Sequence, residues 1–174
     1  MATALAAGDY PSGDTQAWID RIVRERRDTP VEEMLAAWDA SADGVSTLVD
    51  GGAGLLFADL VVHEHDLRAA LGQPGSRGTA EVRAVVQPLL DVLAPAIKEA
   101  GLGALLVDSG PVTWTSHFGK PGCTLHLDPW EATRALSSRR THDELLAVPH
   151  TGDLEPYVKV IDGHLPLPTQ SLHE

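Results

Sequence analysis

Aspartate and histidine recur at helical spacing in the segment 58–68, and they are the residues of this chain best suited to chemistry. Asp59, His63 and Asp66 stand at positions i, i+4 and i+7. At about 100° per residue, these positions lie along one face of an α-helix. Because a carboxylate and an imidazole one turn apart can share a metal ion, the spacing predicts Asp59 and His63 as metal ligands.

The second histidine of this segment, His65, is not expected to join them. Two residues of helix rotate it by about 200° away from His63. Zinc normally takes at least three protein ligands, and no histidine precedes His63 in the sequence. Asp39 and Asp43, on the preceding predicted helix, are candidates for a further ligand, although a carboxylate-rich site would suit harder ions.

A structural explanation of the same residues stays open. In this alternative Asp59 or Asp66 orients His63 within a hydrogen-bonded cluster, and Arg68 pairs with a carboxylate. No metal takes part in such a cluster. The sequence alone does not choose between the two interpretations.

Two adjacent arginines, Arg139 and Arg140, form a second candidate site between two predicted helix starts. A guanidinium can bind a carboxylate through two parallel hydrogen bonds, so the pair is suited to an acidic substrate. The alternative is that both are solvated or neutralise the nearby Asp143 and Glu144. The sequence has no glycine-rich phosphate loop, nucleophilic-serine elbow or cysteine cluster, which disfavours the common kinases, dinucleotide oxidoreductases and hydrolases.

The first half of the chain, which would position the Asp59–His63 pair, has helical patterning. Four helices are predicted, at about 14–27, 29–48, 53–71 and 79–100. Gly72 is expected to end the third helix in a left-handed conformation, and Pro88 and Pro95 are each expected to kink or break the fourth. The residues predicted to be buried by the first two helices are Trp18, Ile19, Ile22, Val23, Met34, Leu35, Trp38, Val45 and Leu48.

The patterning changes near 101–103 to short β-prone stretches. Segments 104–108, 112–117 and 123–127 are separated by glycine and proline turns, and they predict three strands in a small antiparallel sheet. Asp128 and Thr141 each begin a short helix by capping it, and residues 152–174 are expected to pack along the surface. We therefore predict an α+β chain with domains at 1–101 and 102–174.

Composition disfavours several partners. With 13 Lys+Arg against 25 Asp+Glu, the formal net charge is −12, which repels nucleic acids and anionic membranes. Cys123 is the only cysteine, so no intramolecular disulfide can form, and a small buried hydrophobe is its expected role. The sequence shows no basic leader and no apolar run of about 20 residues, so a soluble cytoplasmic protein is expected.

Several stretches, taken in order, resemble the actinobacterial mycothiol-dependent maleylpyruvate isomerase family. They are ADLVVHEHDLRAALG at 58–72, PGSR at 74–77, ALSSRRTHDE at 135–144 and TGDLEPY at 151–157. The resemblance implies a DinB-like helical bundle followed by a small α/β domain distantly like sterol-carrier proteins. It also implies a divalent metal, usually zinc, held by Asp59, His63 and a histidine on the first bundle helix, with Asp59 standing where the isomerase has glutamate.

The activity that the resemblance implies is cis–trans isomerisation of a small unsaturated diacid. Mycothiol is the thiol cosubstrate; its metal-activated thiolate adds to the substrate, permits rotation about the former double bond and leaves again. Arg68, Arg139 and Arg140 are the candidates for binding substrate or thiol, and Asp66 is the candidate for supporting the metal ligands. Thiol transfer to another electrophile is a related activity, and a non-catalytic binding protein that has lost its metal is the alternative.

One departure from the family pattern is that its first helix, with the histidine ligand, has no counterpart in the sequence. The expectation is a shortened family member or a chain with a misassigned start. A bundle without one helix exposes an apolar seam, which a second copy would cover in a homo-oligomer.

Overall fold

The structure is a computed structural model that describes residues 4, 7–9, 13, 15–50, 52 and 54–172. It forms two compact units, Met1–Leu56 and Phe57–Glu174. The predicted domains place the division later, at 101, where the sequence changes from helical to β-prone patterning. That domain assignment stays a prediction.

Two helices make up most of the first unit. α1 spans Thr15–Arg26 and α2 spans Val31–Asp50, close to the predicted ranges; Asp14 lies outside the described residues. Trp18 and Ile22 are buried with Ala4, as the helical periodicity predicted for the two α1 residues.

The prediction that the apolar stripe on α2 is buried is wrong for its larger residues. Met34, Leu35 and Trp38 are exposed, Leu35 by 59 %, and Val23 of α1 is exposed as well. Periodicity identifies which residues share a helix face, but burial requires another element packed against that face. Among the described residues no such element covers these side chains.

The metal-ligand candidates lie on α3, which spans Gly54–Ala70. The predicted stop at Gly72 is confirmed, because this glycine has a φ of 63° and the next amide, of Gln73, donates to Arg68 O at 2.9 Å. This is the usual hydrogen bonding of a glycine-terminated helix. The carbonyl groups at the end of α3 are thereby satisfied before the chain turns.

The predicted fourth helix is two helices, α4 at Ala80–Ala84 and α5 at Val86–Glu99. The break near Pro88 is confirmed: a proline ring clashes with the carbonyl four residues earlier, which here belongs to the last residue of α4. A break at Pro95 is not found, because α5 continues through it. Because proline has no N–H, Pro95 donates no helical hydrogen bond to the carbonyl of Asp91. Both residues are exposed, so water can bind that carbonyl instead.

The second unit contains a four-stranded sheet in the order β2-β1-β3-β4. The strands are β1 (Ala104–Asp108), β2 (Thr113–Thr115), β3 (Pro121–His126) and β4 (His150–Gly152). The predicted all-antiparallel sheet is wrong, since β1 and β3 are parallel while β1–β2 and β3–β4 are antiparallel. Residues 116–120 carry the chain from β2 to the other edge of β1, so β3 starts beside the start of β1. The strand β4 was not predicted.

Two glycines allow this crossing at the start of β1. A Cβ atom on Gly103 would lie 2.7 Å from Lys120 O, and one on Gly122 would meet Tyr157 Oη. Tyr157 donates from that hydroxyl to Gly103 O at 2.9 Å. The absence of side chains at both positions therefore brings the crossing segment, β1 and the Tyr157 hydroxyl together.

Three short helices complete the unit: α6 (Pro129–Leu136), α7 (His142–Ala147) and α8 (Glu155–His164). The first two begin as predicted, with Asp128 Oδ1 accepting from Glu131 N at 2.9 Å and Thr141 in a capping box with Glu144. The predicted surface tail after residue 152 is wrong, because α8 buries Tyr157, Val158 and Ile161. Its proline, Pro156, stands in the first turn, where proline suits a helix.

The core of this unit lies between the sheet and the helices. It includes Leu90 and Leu93 of α5, Leu105 of β1 and Leu125 of β3, all at most 1 % exposed. Cys123 is buried among them, as predicted, and burial raises the pKa of its thiol. The fold is mixed α+β; in the part of the chain that the structure describes, no helix has both the length and the apolar character needed to cross a membrane.

Candidate functional site

His63 lies between two carboxylates on the exposed face of α3. Its Nε2 atom is 3.4 Å from Asp59 Oδ1, and its Nδ1 atom is 3.1 Å from Asp66 Oδ2. The helical spacing thus brings the three predicted side chains together. Asp59 and then Asp66 raise the pKa of His63 to about 9, so the imidazole of this structure is protonated at neutral pH.

Asp66 is held by two arginines from outside α3. Arg134 Nη2 donates to Oδ1 at 2.7 Å, and Arg139 Nη2 donates to Oδ2 at the same distance. Partial burial by itself would raise the pKa of Asp66, but the hydrogen bonds from His63, Arg139 and Arg134 together hold it well below its usual range. Asp66 is therefore ionised at any physiological pH and ties α3 to α6 and to the residues that follow α6.

Arg134 is the residue of this network that sequence reasoning missed. Its side chain is fully buried and lies over the ring of Trp130, with the guanidinium carbon 5.2 Å from the ring centroid. A charged residue in a short amphipathic helix is normally expected to face water. Nothing local in the sequence indicates that Arg134 is buried. Its burial depends on the packing of α6 against Asp66 of α3, which is a long-range tertiary contact.

Neither of the two predicted arginines after α6 is directed at an open surface. Arg139 bonds Asp66 and also donates to Ser137 O at 2.6 Å. Arg140 binds both carboxylate oxygens of Glu131, through Nη2 at 3.0 and 3.1 Å. A left-handed residue, Ser138 with a φ of 59°, turns the chain back after α6 and directs the side chains toward these partners.

The opposite face of α3 forms a small pocket. His65 is 4 % exposed, and its ring meets Trp130 edge-on at a centroid distance of 4.4 Å, so the predicted separation from His63 is confirmed. Burial lowers the pKa of His65. The pocket has about 200 Å³ of empty space, part of it open to solvent, and its walls include Arg68, Arg77 and Trp130. Arg68 also binds Glu64, with 2.8 Å from Nε to Oε1.

The Asp59–His63 pair has the spacing of two metal ligands. Ligand atoms at about 2.0–2.1 Å from a tetrahedral zinc ion are about 3.3–3.4 Å apart, and Asp59 Oδ1 and His63 Nε2 are 3.4 Å apart. A metal-binding histidine usually donates its other ring N–H to a carboxylate, which is the position of Asp66. In the described residues no group of three or more His, Cys, Asp or Glu side chains is arranged to hold a metal. The predicted candidates Asp39 and Asp43 belong to the other compact unit.

The chain was compared with family models, curated proteins and solved structures, and none of the three comparisons gave a match. The function is therefore inferred from the geometry of the site. The site offers two potential ligand atoms on one rigid helix, a carboxylate that orients the imidazole, and arginines that hold this carboxylate ionised.

Proposed function

We propose that this chain is a metal- and mycothiol-dependent enzyme of the maleylpyruvate isomerase type, acting on a small electrophile by isomerisation or thiol transfer. The observation that supports it most directly is the Asp59–His63–Asp66 geometry. One carboxylate and the Nε2 atom stand at ligand spacing, while a second carboxylate accepts from the Nδ1 side. Within this proposal residues 1–101 are the counterpart of the DinB-like bundle.

The residues present fit part of a zinc site. Asp59 and His63 would hold the ion, and the His63 side chain is 59 % exposed, so further ligands and a thiol can approach from the solvent side. A bound zinc ion would lower the pKa of a coordinated thiol and so supply a thiolate at neutral pH. A third protein ligand from a second copy of the chain would complete the site in the homo-oligomer expected from the sequence.

Asp66 has the role of orienting His63. By accepting from Nδ1 it favours the imidazole tautomer whose Nε2 lone pair is free to bind a metal. Arg134 and Arg139 keep Asp66 ionised, so this acceptor is present throughout the pH range in which a thiolate is useful. A metal bound at His63 would take the place of the Nε2 proton, so the affinity for metal would rise with pH.

The arginines divide between positioning and binding roles in this proposal. Arg139 acts through Asp66 and is a positioning residue. Arg140 contacts Glu131, so it binds a substrate carboxylate only if that ion pair opens. Arg68 remains the candidate for contact with substrate or thiol; it lines the pocket on the face of α3 opposite His63, so it would contact a part of either molecule that extends away from the metal ligands.

A second candidate function is a non-catalytic binding protein without a metal. It is favoured by the closed ion-pair network, in which His63 already has a carboxylate at each ring nitrogen. It is also favoured because, among the described residues, Asp59 and His63 are not joined by a third side chain in a group that could hold a metal. Under this alternative the network only stabilises the packing of α3 against α6.

Thiol-dependent turnover separates the two functions. We expect the zinc-loaded protein to consume maleylpyruvate in the presence of mycothiol, and His63→Gln to abolish this activity. His126→Gln is the matched control, because His126 is also exposed and stands 3.5 Å from a carboxylate, that of Asp108. If His63→Gln keeps the zinc- and thiol-dependent activity of the wild type, the enzyme proposal is wrong at this site.

A further inference from the structure

The two candidate metal ligands share a ridge of α3 with two leucines. Asp59, His63, Leu67 and Leu71 follow one another at intervals of four residues, and such positions form one continuous ridge along a helix. Leu71 comes just after the last residue of α3, but its amide still donates to Leu67 O at 3.0 Å. These four residues, the α3 ridge, therefore have a polar half with the candidate ligands and an apolar half that follows it.

The apolar half of the α3 ridge is exposed to solvent. Leu67 is 61 % exposed and Leu71 is 64 % exposed, whereas Val61 and Val62 on the other side of the same helix are buried. A single exposed leucine is ordinary on a protein surface. Two in succession beside a candidate site form an apolar surface that is suited to an interface.

The polar half of the α3 ridge holds only part of a metal site. Zinc takes four ligands in closed protein sites, and among the described residues of one chain Asp59 and His63 belong to no group of three or more side chains that could hold a metal. A second copy of the chain carries the same two ligands on the same ridge. Because a two-fold axis makes both copies supply the same residues to an interface, two ligands from each copy make four.

We propose that two copies of this chain pair along the α3 ridge and share one zinc ion, held by Asp59 and His63 of both copies. This inference rests on the proposed function, because it uses the same two ligands, and it names the partner that completes them. Ligands meet ligands and leucines meet leucines only when the two α3 helices run in the same direction. The second copy then covers Leu67 and Leu71 while it completes the site.

The charges of the α3 ridge make this pairing depend on the ion. Two Asp59 carboxylates brought together repel each other, and two chains that each carry a formal net charge of −12 repel each other at longer range. A divalent cation with two carboxylates and two neutral imidazoles has no net charge, so the group can be buried between the copies without an uncompensated charge. We therefore expect the dimer to form in zinc and to dissociate when zinc is removed.

Sedimentation equilibrium of the full chain, in zinc and in a chelator, tests the pairing. We expect the mass of a dimer with one zinc ion per two chains, and the mass of a monomer after chelation. One zinc ion per chain, in a monomer or in a dimer, would overturn the shared site and leave the metal proposal standing. Absence of zinc binding would overturn both, and a dimer that is equally stable in zinc and in chelator would overturn the shared site.

Leu67→Gln and Leu35→Gln form the matched pair of variants. Both leucines are exposed to nearly the same degree, 61 and 59 %, but Leu35 belongs to α2. Leu67→Gln should weaken the zinc-dependent dimer by about tenfold or more, because both copies lose an apolar contact, and Leu35→Gln should leave its dissociation constant unchanged. An effect of Leu35→Gln equal to or larger than that of Leu67→Gln would contradict the α3 ridge as the interface.

A disulfide across the interface tests the direction of the two helices. Leu71→Cys introduces a thiol about 12 Å along the helix from His63, too far to replace a ligand, and the native Cys123 is buried. We expect oxidation in zinc to cross-link Leu71→Cys chains, while Glu99→Cys, exposed at the end of α5, stays uncross-linked as the control. Cross-linking of both variants to the same extent, including none in either, would overturn the parallel pairing.

Discussion

Asp66 is the residue on which the arrangement of the site depends most. It binds Arg134, which is fully buried, so Asp66→Asn removes a charge-balancing hydrogen bond from that guanidinium. We expect the free energy of unfolding to fall by about 3 kcal/mol. Denaturant unfolding measures this, with Asp143→Asn as the control, because Asp143 is fully exposed and its loss should change stability by less than about 0.5 kcal/mol. Equal stabilities of the two variants would contradict the role of Asp66.

The titration of His63 gives the metal-free protein a pH-dependent contribution to stability. Asp59 and Asp66 raise its pKa from 6.5 to about 9, so the protonated form is stabilised in the folded state. This contribution is fully present below pH 6.5 and is lost as the pH rises through about 9; linkage then requires stability to fall over that interval. Thermal unfolding in a chelator should show the difference between wild type and His63→Gln shrinking between these two values. A difference that grows with pH would show that the sign is wrong.

The residues of the site were predictable where helical geometry alone decides. The spacing of Asp59, His63 and Asp66 predicted one face, and the rotation of His65 predicted the other. The partners of these faces were not predictable, because Arg134 and Trp130 come from α6, more than sixty residues later in the sequence. Which helix packs against which is decided by the whole core.

Among the elements, the crossing of residues 116–120 beside β1 leaves the least room for side chains, at Gly103 and Gly122. A Cβ atom at Gly122 would meet Tyr157 Oη, so Gly122→Ala must displace the hydroxyl that binds Gly103 O. We expect it to lower the free energy of unfolding by about 1–3 kcal/mol, as overpacking does. Gly163→Ala is the control, since a Cβ there has open space in α8 and should raise stability by up to about 1 kcal/mol. Thermal unfolding measures both changes: relative to the wild type, we expect the Tm of Gly122→Ala to fall and the Tm of Gly163→Ala to rise. A shift of both Tm values in the same direction would contradict this prediction.

The elements were predicted best where a local signal starts or stops them. The caps at Asp128 and Thr141, the glycine at 72 and the break before Pro88 all act within one helical turn. The parallel pairing of β1 with β3 has no such signal, because strand direction depends on the path of residues 116–120 around β1. The helix α8 was not predicted, because the whole stretch 152–174, rich in proline and leucine, was expected to pack along the surface. Its proline is nevertheless favourable in a first helical turn.

For the whole molecule, the composition and the helix-then-strand order were sufficient to predict a mixed α+β fold. The predicted domain division at 101 stays a prediction. α4 and α5, which precede it in the sequence, share a core with the sheet. The larger apolar side chains of α2 remain exposed. The predicted homo-oligomer would cover such a surface, and sedimentation of the purified chain measures whether it forms.

The central claim is that Asp59 and His63 form the protein half of a metal site oriented by Asp66. Calorimetric titration of zinc into the purified chain tests it most directly. We predict stoichiometric binding to the wild type and to His126→Gln, no such binding to Asp59→Asn or His63→Gln, and about 10- to 100-fold weaker binding to Asp66→Asn. Zinc binding to His63→Gln with the affinity of the wild type, or no zinc binding to the wild type, would contradict the account.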